Sequence, residues 1–361
     1  MSSKSSMLAP TPWRSAEPEQ AGFSPDLAVR LAAGVRSGLL RDLHAVLVSR
    51  AGLLVHESYY EGRDESWGKP LGLVSFGPET LHDLRSVTKS VVGLLYGIAL
   101  DRGLVPGPDA PLVAQFPEYP DLVANPWLAC LTVGHALTMT LGTEWDEQRP
   151  YTDPANSEIA MENAPDRYRF ILERPVLADA GTRWTYSGGA VALVGALIAR
   201  GTGRTLPDFA REALFEPLGI STFEWIAGRD GIPSAASGLR LLPRDLLRIG
   251  ALLAGGGEWQ GRRVVSAAWL TASFAPAIPT GDGLHYGRLW FLGEAPTPAM
   301  GMQPWMAGFG NGGQRLWLMP AAGLAVVILS GNYNAPDAWV TPTRVWREIV
   351  LAGLVAPASP A

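Results

Sequence analysis

Apolar residues recur along the chain with two different periods, and the period changes with position. After an irregular, Ser- and Pro-rich lead-in over residues 1–20, Pro25–Leu40 carries a helical pattern with Ser24 as its N-cap and Pro25 in the first turn. Leu43–Ser49 and Leu53–Tyr60 are strand-like runs joined at Arg50-Ala51-Gly52, a hairpin signal. Gly62–Pro78 is polar and Gly-rich and reads as loop. Ser86 then opens a strongly apolar helical stretch that runs to Leu100 and closes at Gly103. From there to about residue 235 the pattern is mostly helical, with helices predicted over Thr132–Leu141, Gly188–Arg200 and Leu206–Phe215. Further helices are predicted over Arg244–Leu253 and Ser266–Ser273. The C-terminal third changes character. Gly287–Phe291, Gln314–Met319 and Leu324–Ser330 read as strands, with a turn at Pro320–Gly323 and a closing helix from about Asp337.

Strands at both ends and helices in the middle predict an α/β (α+β) fold. One antiparallel sheet is built from both chain ends and flanked by helices, with a mostly helical region inserted between its halves. The expected units are residues 1–85 with 236–361 for the sheet domain and 86–235 for the helical one, and the cleft between them is a natural ligand site. With 361 residues, 47% of them hydrophobic, the chain can bury a core of that size and is not a disordered protein. No apolar run approaches the roughly 18 residues of a membrane span. The net charge of −5 leaves no basic footprint for nucleic acid, so the expected partner is a small molecule; oligomeric state is not legible. Met1–Met7 carries one cation and no apolar segment follows it, which makes the cytoplasm the expected location. Cys130 has no second cysteine to pair with and reads as a buried structural thiol.

Several familiar catalytic signals are missing. There is no G-x-S-x-G elbow, no H-E-x-x-H, no Walker-type loop and no G-x-G-x-x-G between a strand and a helix. The five histidines are dispersed without ligand spacing, so no metal site and no cofactor is expected. The acidic cluster Glu144, Asp146 and Glu147 reads as a solvated loop. One count changes the picture: Lys4, Lys69 and Lys89 are the only lysines among 29 basic residues, yet S-x-x-K occurs twice, at Ser66–Lys69 and Ser86–Lys89. The first lies in a Gly/Pro loop that fixes no side-chain geometry. The second opens a helix, where residues three apart share a face. A serine hydroxyl becomes a useful nucleophile when a base takes its proton, and burial against Val91 and Val92 is expected to lower the pKa of Lys89 towards that role. At a helix start, the N–H of Ser86 is also available to an oxyanion.

Ser86-Val87-Thr88-Lys89-Ser90, following Leu81-His82-Asp83-Leu84-Arg85, resembles the nucleophile motif of the β-lactamase-related serine hydrolases. That group takes in class C β-lactamases, D-alanyl-D-alanine peptidases, family VIII esterases and 6-aminohexanoate-dimer hydrolases. Leu131–Gly142 resembles the helix ahead of the family's second motif, Gly181–Gly189 the second motif itself, and Phe215–Ile220 a further phrase of the family. The four stretches come in the family's order, and the likeness spans about residues 20 to 350.

The resemblance implies a β-lactamase/transpeptidase-like fold and a cofactor-free, metal-free acyl-enzyme mechanism. It makes Ser86, Lys89 and Tyr186 the catalytic group, with Ser187 and Gly188 beside Tyr186; Gly188 stands where many relatives have Asn. The third motif falls within Gly308–Gly313, which has neither lysine nor histidine. The implied oxyanion hole pairs the N–H of Ser86 with that of Asn311, or of Gly313 if the register shifts by two, and Gly310 and Gly312 join the substrate-binding set. Tyr151 matches a tyrosine that reaches over substrate in the aminohexanoate branch. Trp184 and Trp305 suggest an apolar acyl pocket, and Arg315 is an alternative source for the missing cation. Ester or small linear amide hydrolysis is the expected activity. A β-lactamase or D-alanyl-D-alanine peptidase, and a member that binds without turnover, remain alternatives, and whether Lys89 or Tyr186 is the primary base stays open.

Overall fold

The computed structural model describes residues 13–356, so most of the lead-in and the last few residues lie outside it. Strands in chain order are β1 (Leu43–Arg50), β2 (Leu53–Tyr59), β3 (Glu61–Ser66), β4 (Lys69–Ser75), β5 (His82–Asp83), β6 (Phe223–Trp225) and β7 (Leu239–Leu241). They continue as β8 (Glu258–Trp259), β9 (Arg262–Arg263), β10 (Ile278–Pro279), β11 (His285–Tyr286), β12 (Phe291–Thr297), β13 (Gly301–Gly310), β14 (Gln314–Met319) and β15 (Leu324–Ser330). Helices are α1 (Leu27–Arg36), α2 (Val87–Asp101), α3 (Pro120–Val123), α4 (Val133–Leu137), α5 (Ser157–Asn163), α6 (Arg167–Leu172), α7 (Gly188–Thr202), α8 (Leu206–Ala210), α9 (Pro243–Ala254), α10 (Ala267–Ser273) and α11 (Val340–Arg344).

The main sheet has eight antiparallel strands in the order β10-β11-β12-β13-β14-β15-β1-β2. The two chain ends meet where β1 pairs with β15, from Leu43 opposite Ser330 to Arg50 opposite Leu324. Every residue of β1, β14 and β15 is buried, because helices cover both faces. Alternation sorts the side chains. Leu47, Leu316, Leu318 and Val327 join one core with α2, α7 and α9, whereas Val46, Val48, Trp317 and Ile328 join a second core with α1 and Trp346. The helices α2 and α7 pack together and are apolar on nearly every side, since each is enclosed.

Four predicted boundaries move. The first helix starts at Leu27, and the Ser24 hydroxyl spends its hydrogen bond on Asp26 (2.6 Å). Gly62–Pro78 holds the β3–β4 hairpin, turned at Trp67-Gly68, so Ser66 and Lys69 face each other across a turn rather than along a helix. The helix from Thr132 stops at Leu137, because Met139 takes a left-handed backbone (φ 57°). The strand expected over Gly287–Phe291 lies instead at Phe291–Thr297, and the ten-residue β13 follows it. Cys130 is exposed, because Leu128 is the buried residue of its turn.

Candidate active site

A cavity of about 190 Å³ opens at the N-terminus of α2. Arg85 sits there in a left-handed backbone (φ 49°), a conformation that costs a non-glycine residue of the order of 1 kcal/mol. Its guanidinium pairs with Glu65 and with Asp83 (3.3 Å) and lies over the Tyr333 ring at 4.9 Å, so three neighbours hold the turn that delivers Ser86 to the helix start. Ser86 lines the cavity.

One helical turn on, buried Lys89 reaches back. Its ammonium donates to Ser86 Oγ (3.0 Å), to the Ala236 carbonyl (3.1 Å) and to Glu158 Oε2 (3.2 Å), with Glu147 Oε2 at 4.0 Å. Burial alone would lower its pKa, but Glu158, Tyr186 and Glu147 outweigh burial and raise it above the usual lysine value. The expectation of a lowered pKa is thereby corrected: the apolar helix face around Lys89 is real, yet two acids from elsewhere in the chain share its pocket. Tyr186 places its ring 4.9 Å from Lys89 Nζ, and burial raises its phenol while the Ser86 hydroxyl and Lys89 oppose that rise.

The acids were hidden from sequence reasoning. Glu147, expected on a solvated loop, is buried. It accepts hydrogen bonds from Trp145 Nε1 (2.6 Å), from the Gly188 N–H and from Tyr151 (2.9 Å), and burial beside Glu158 pushes its carboxyl up to about 7. Glu158 accepts from Ser237 (2.5 Å) and Lys89, and Lys89 keeps its carboxyl below the usual range despite burial. Near neutral pH Glu158 is ionised, whereas Glu147 is divided between its neutral and charged forms.

The structure brings Ser86, Lys89 and Tyr186 together, and Asn311 and Tyr151 line the cavity with Ser86. Asn311 Nδ2 donates to Asn334 Oδ1 (2.8 Å) and Asn311 Oδ1 accepts from the Asn334 backbone N–H (2.9 Å), which pins the β13–β14 turn beside Ser86. Other expected site residues do different work. The Ser187 hydroxyl caps α7 by accepting from Ala190 N (3.1 Å), and Gly188 is buried behind the acids. Gly310 packs on the Leu84 carbonyl; Gly312 and Gly313 face Tyr333 and Ser330. Trp184 packs tilted against Tyr186 and Tyr286 and edge-on to Phe291, and Trp305 belongs to the second core, so Trp67 and Tyr151 are the aromatic members of the cavity wall. Arg315 is buried, donates to the carbonyls of Gly310 and Gln314, and has its pKa lowered to about 10 by burial; it does not take the place of a cleft cation.

His44, Asp64 and His82 form a buried cluster that dispersed sequence positions concealed. His82 Nδ1 lies 2.9 Å from the Asp83 carbonyl and must donate there, which leaves Nε2 to accept from His44 Nδ1 at 2.9 Å. Tyr333 donates to Asp64 (2.9 Å), so the cluster is held by hydrogen bonds beneath the Arg85 turn.

The family model described as Beta-lactamase matches residues 37–347. Among curated proteins, the 6-aminohexanoate-dimer hydrolase of Paenarthrobacter ureafaciens is 26% identical over 300 residues, covering 76% of this chain and 70% of its own. A putative 6-aminohexanoate-dimer hydrolase from Bacillus anthracis superposes with a TM-score of 0.73 at 17% identity, covering 94% of this chain and 87% of its own. EstCE1, titled a hydrolase with promiscuous acyltransferase activity, superposes at 0.68 with 16% identity, covering 89% and 98%. With the sheet built from both chain ends and a family match over most of its length, the chain belongs to the beta-lactamase family.

Proposed function

We propose that this protein is a serine hydrolase that cleaves short carboxylic esters or small linear amides through an acyl-enzyme on Ser86. The observation that carries the reading is the 3.0 Å contact between Lys89 Nζ and Ser86 Oγ at the mouth of the cavity. Because the three ammonium hydrogens of Lys89 are directed at three oxygens, Lys89 acts as a donor to Ser86 and the serine proton leaves towards Tyr186. As Ser86 Oγ bonds to the substrate carbonyl carbon, Tyr186 takes the serine proton and passes its own to the departing alcohol or amine. Water then attacks the acyl-enzyme with Tyr186 in the reverse role. The backbone N–H groups of Ser86 and Asn311 are the oxyanion donors in this reading.

The third-motif stretch is what favours an uncharged acyl group over a β-lactam in this reading. Gly308-Phe309-Gly310 offers no cation to a penicillin carboxylate, and of the two arginines that line the cavity beside Glu158 and Glu162, Arg85 is already paired with Glu65 and Asp83, which leaves Arg229. A charge-assisted hydrogen bond to a carboxylate contributes about 1.5–3 kcal/mol, so its loss is worth about tenfold to a hundredfold in turnover. The test compares kcat/KM for p-nitrophenyl butyrate and nitrocefin. The ester is expected to be the better substrate by that margin, and a nitrocefin value equal to or above it would promote the β-lactamase reading.

A further inference from the structure

Gly188 and Glu158 are fitted to each other. A Cβ on Gly188 would stand 2.5 Å from Glu158 Oε2, 3.0 Å from its Cδ and 3.1 Å from the Ala236 Cβ, so the carboxylate occupies the space where any larger residue 188 would put its side chain. From that seat the carboxylate reaches Lys89 Nζ, and its other oxygen is fixed by Ser237, whose hydroxyl accepts in turn from Trp67 Nε1 at 3.1 Å. The chain of contacts from Trp67 through Ser237, Glu158 and Lys89 ends on the Ser86 hydroxyl. Asn156 caps the first turn of α5 and fixes the backbone of Glu158, accepting from its N–H at 3.0 Å.

We infer that Glu158, seated in the space opened by Gly188, is a positioning residue that holds Lys89 charged and aimed at Ser86. The inference rests on the reading of Ser86 as nucleophile. Its charge balance involves every group facing the pair: Glu147 from the loop before α5, Tyr151 bonded to Glu147, Tyr186 ahead of α7, Ser237 ahead of β7, and Glu162 one turn further along α5, itself paired with Arg167 at 2.9 Å. Glu158 is the acid that hydrogen-bonds the ammonium at 3.2 Å, whereas Glu147 stands off at 4.0 Å. Removing the Glu158 carboxylate leaves Lys89 with Glu147 as its more distant counter-charge, so its pKa falls and the ammonium loses the contact that aims it.

The experiment uses the full chain with p-nitrophenyl butyrate over pH 5–10, with thermal unfolding to verify folding. Glu158→Gln is expected to lower kcat by at least about tenfold, to leave KM within a few fold, and to move the alkaline limb of the profile to lower pH. Gly188→Ala is expected to cause a similar loss by displacing the carboxylate, and the shorter acid in Gly188→Ala/Glu158→Asp is expected to restore part of it. That rescue keeps the test decisive if Glu158→Gln does not fold. Unchanged kcat and pH profile in a folded Glu158→Gln, or a Gly188→Ala loss that Glu158→Asp leaves untouched, would overturn the inference. A Ser86→Ala control separates the two levels: if it retains hydrolysis, the nucleophile reading itself falls, whereas an inactive Ser86→Ala beside a normal Glu158→Gln removes the role of Glu158 alone.

Discussion

Lys89 is the buried cation that touches Ser86, and the proposed proton handling turns on it. In the mechanism proposed above, the ammonium donates to Ser86 Oγ, favours charge on the Tyr186 phenol and cannot accept a proton at the same time, so the two residues act as one unit with Tyr186 as the shuttle. Lys89→Met and Tyr186→Phe should each lower kcat by about two orders of magnitude, and the double variant should be little worse than the worse single one. Steady-state kinetics on folded variants check this, and additive losses would contradict it. Ser86 and Lys89 were legible because their spacing on one helix places them together without reference to the rest of the fold. Glu158 was not, being 69 residues from Lys89 and brought to it on the first turn of α5. The available signal was the unusual Gly188, which marks space that another side chain must fill.

At the scale of elements, α2 carries the nucleophile and depends on close packing along its length. Gly97 lies against the indole of Trp269 on α10, and a Cβ there would overlap the ring, while Trp269 Nε1 donates to the Gly93 carbonyl at 3.0 Å. Gly97→Ala should therefore cost about 1–3 kcal/mol of stability by overpacking, with kcat little changed in the folded fraction. Urea unfolding measures the cost, and a variant as stable as the parent, or more so, would contradict the tight fit. Apolar elements such as α2, α7, β14 and β15 were readable from their patterns. The β3–β4 hairpin was not, because its strands are polar and its Gly-rich turn resembles loop; nor was β13, where Pro304 and three glycines dilute the strand signal.

For the whole molecule, two cores grip one sheet and leave a buried acid pair at the cleft, and this ties stability to pH. Glu147 holds its proton to about pH 7 in the folded chain but loses it near its ordinary value of 4.5 when unfolded. The folded state therefore binds more protons across that window, and this contribution to stability is lost as pH rises from about 4.5 to about 7. Glu147→Gln removes it, so the stability of the variant relative to the parent should improve between pH 5 and pH 8; a pH-independent difference would contradict the assignment. His44 and His82, lowered by burial to about 3 and about 4, titrate with the opposite sign and cancel in the comparison. The sheet closed by both chain ends was legible from the order of elements, whereas the His44–His82–Asp64 cluster was not, since only tertiary folding unites those positions. The most direct test of the central claim is to treat the protein with a fluorophosphonate and locate the adduct by peptide mass spectrometry. A single adduct on Ser86, absent from an inactive Ser86→Ala variant, is the expected result; an adduct on another residue, or ester hydrolysis that survives Ser86→Ala, would contradict it.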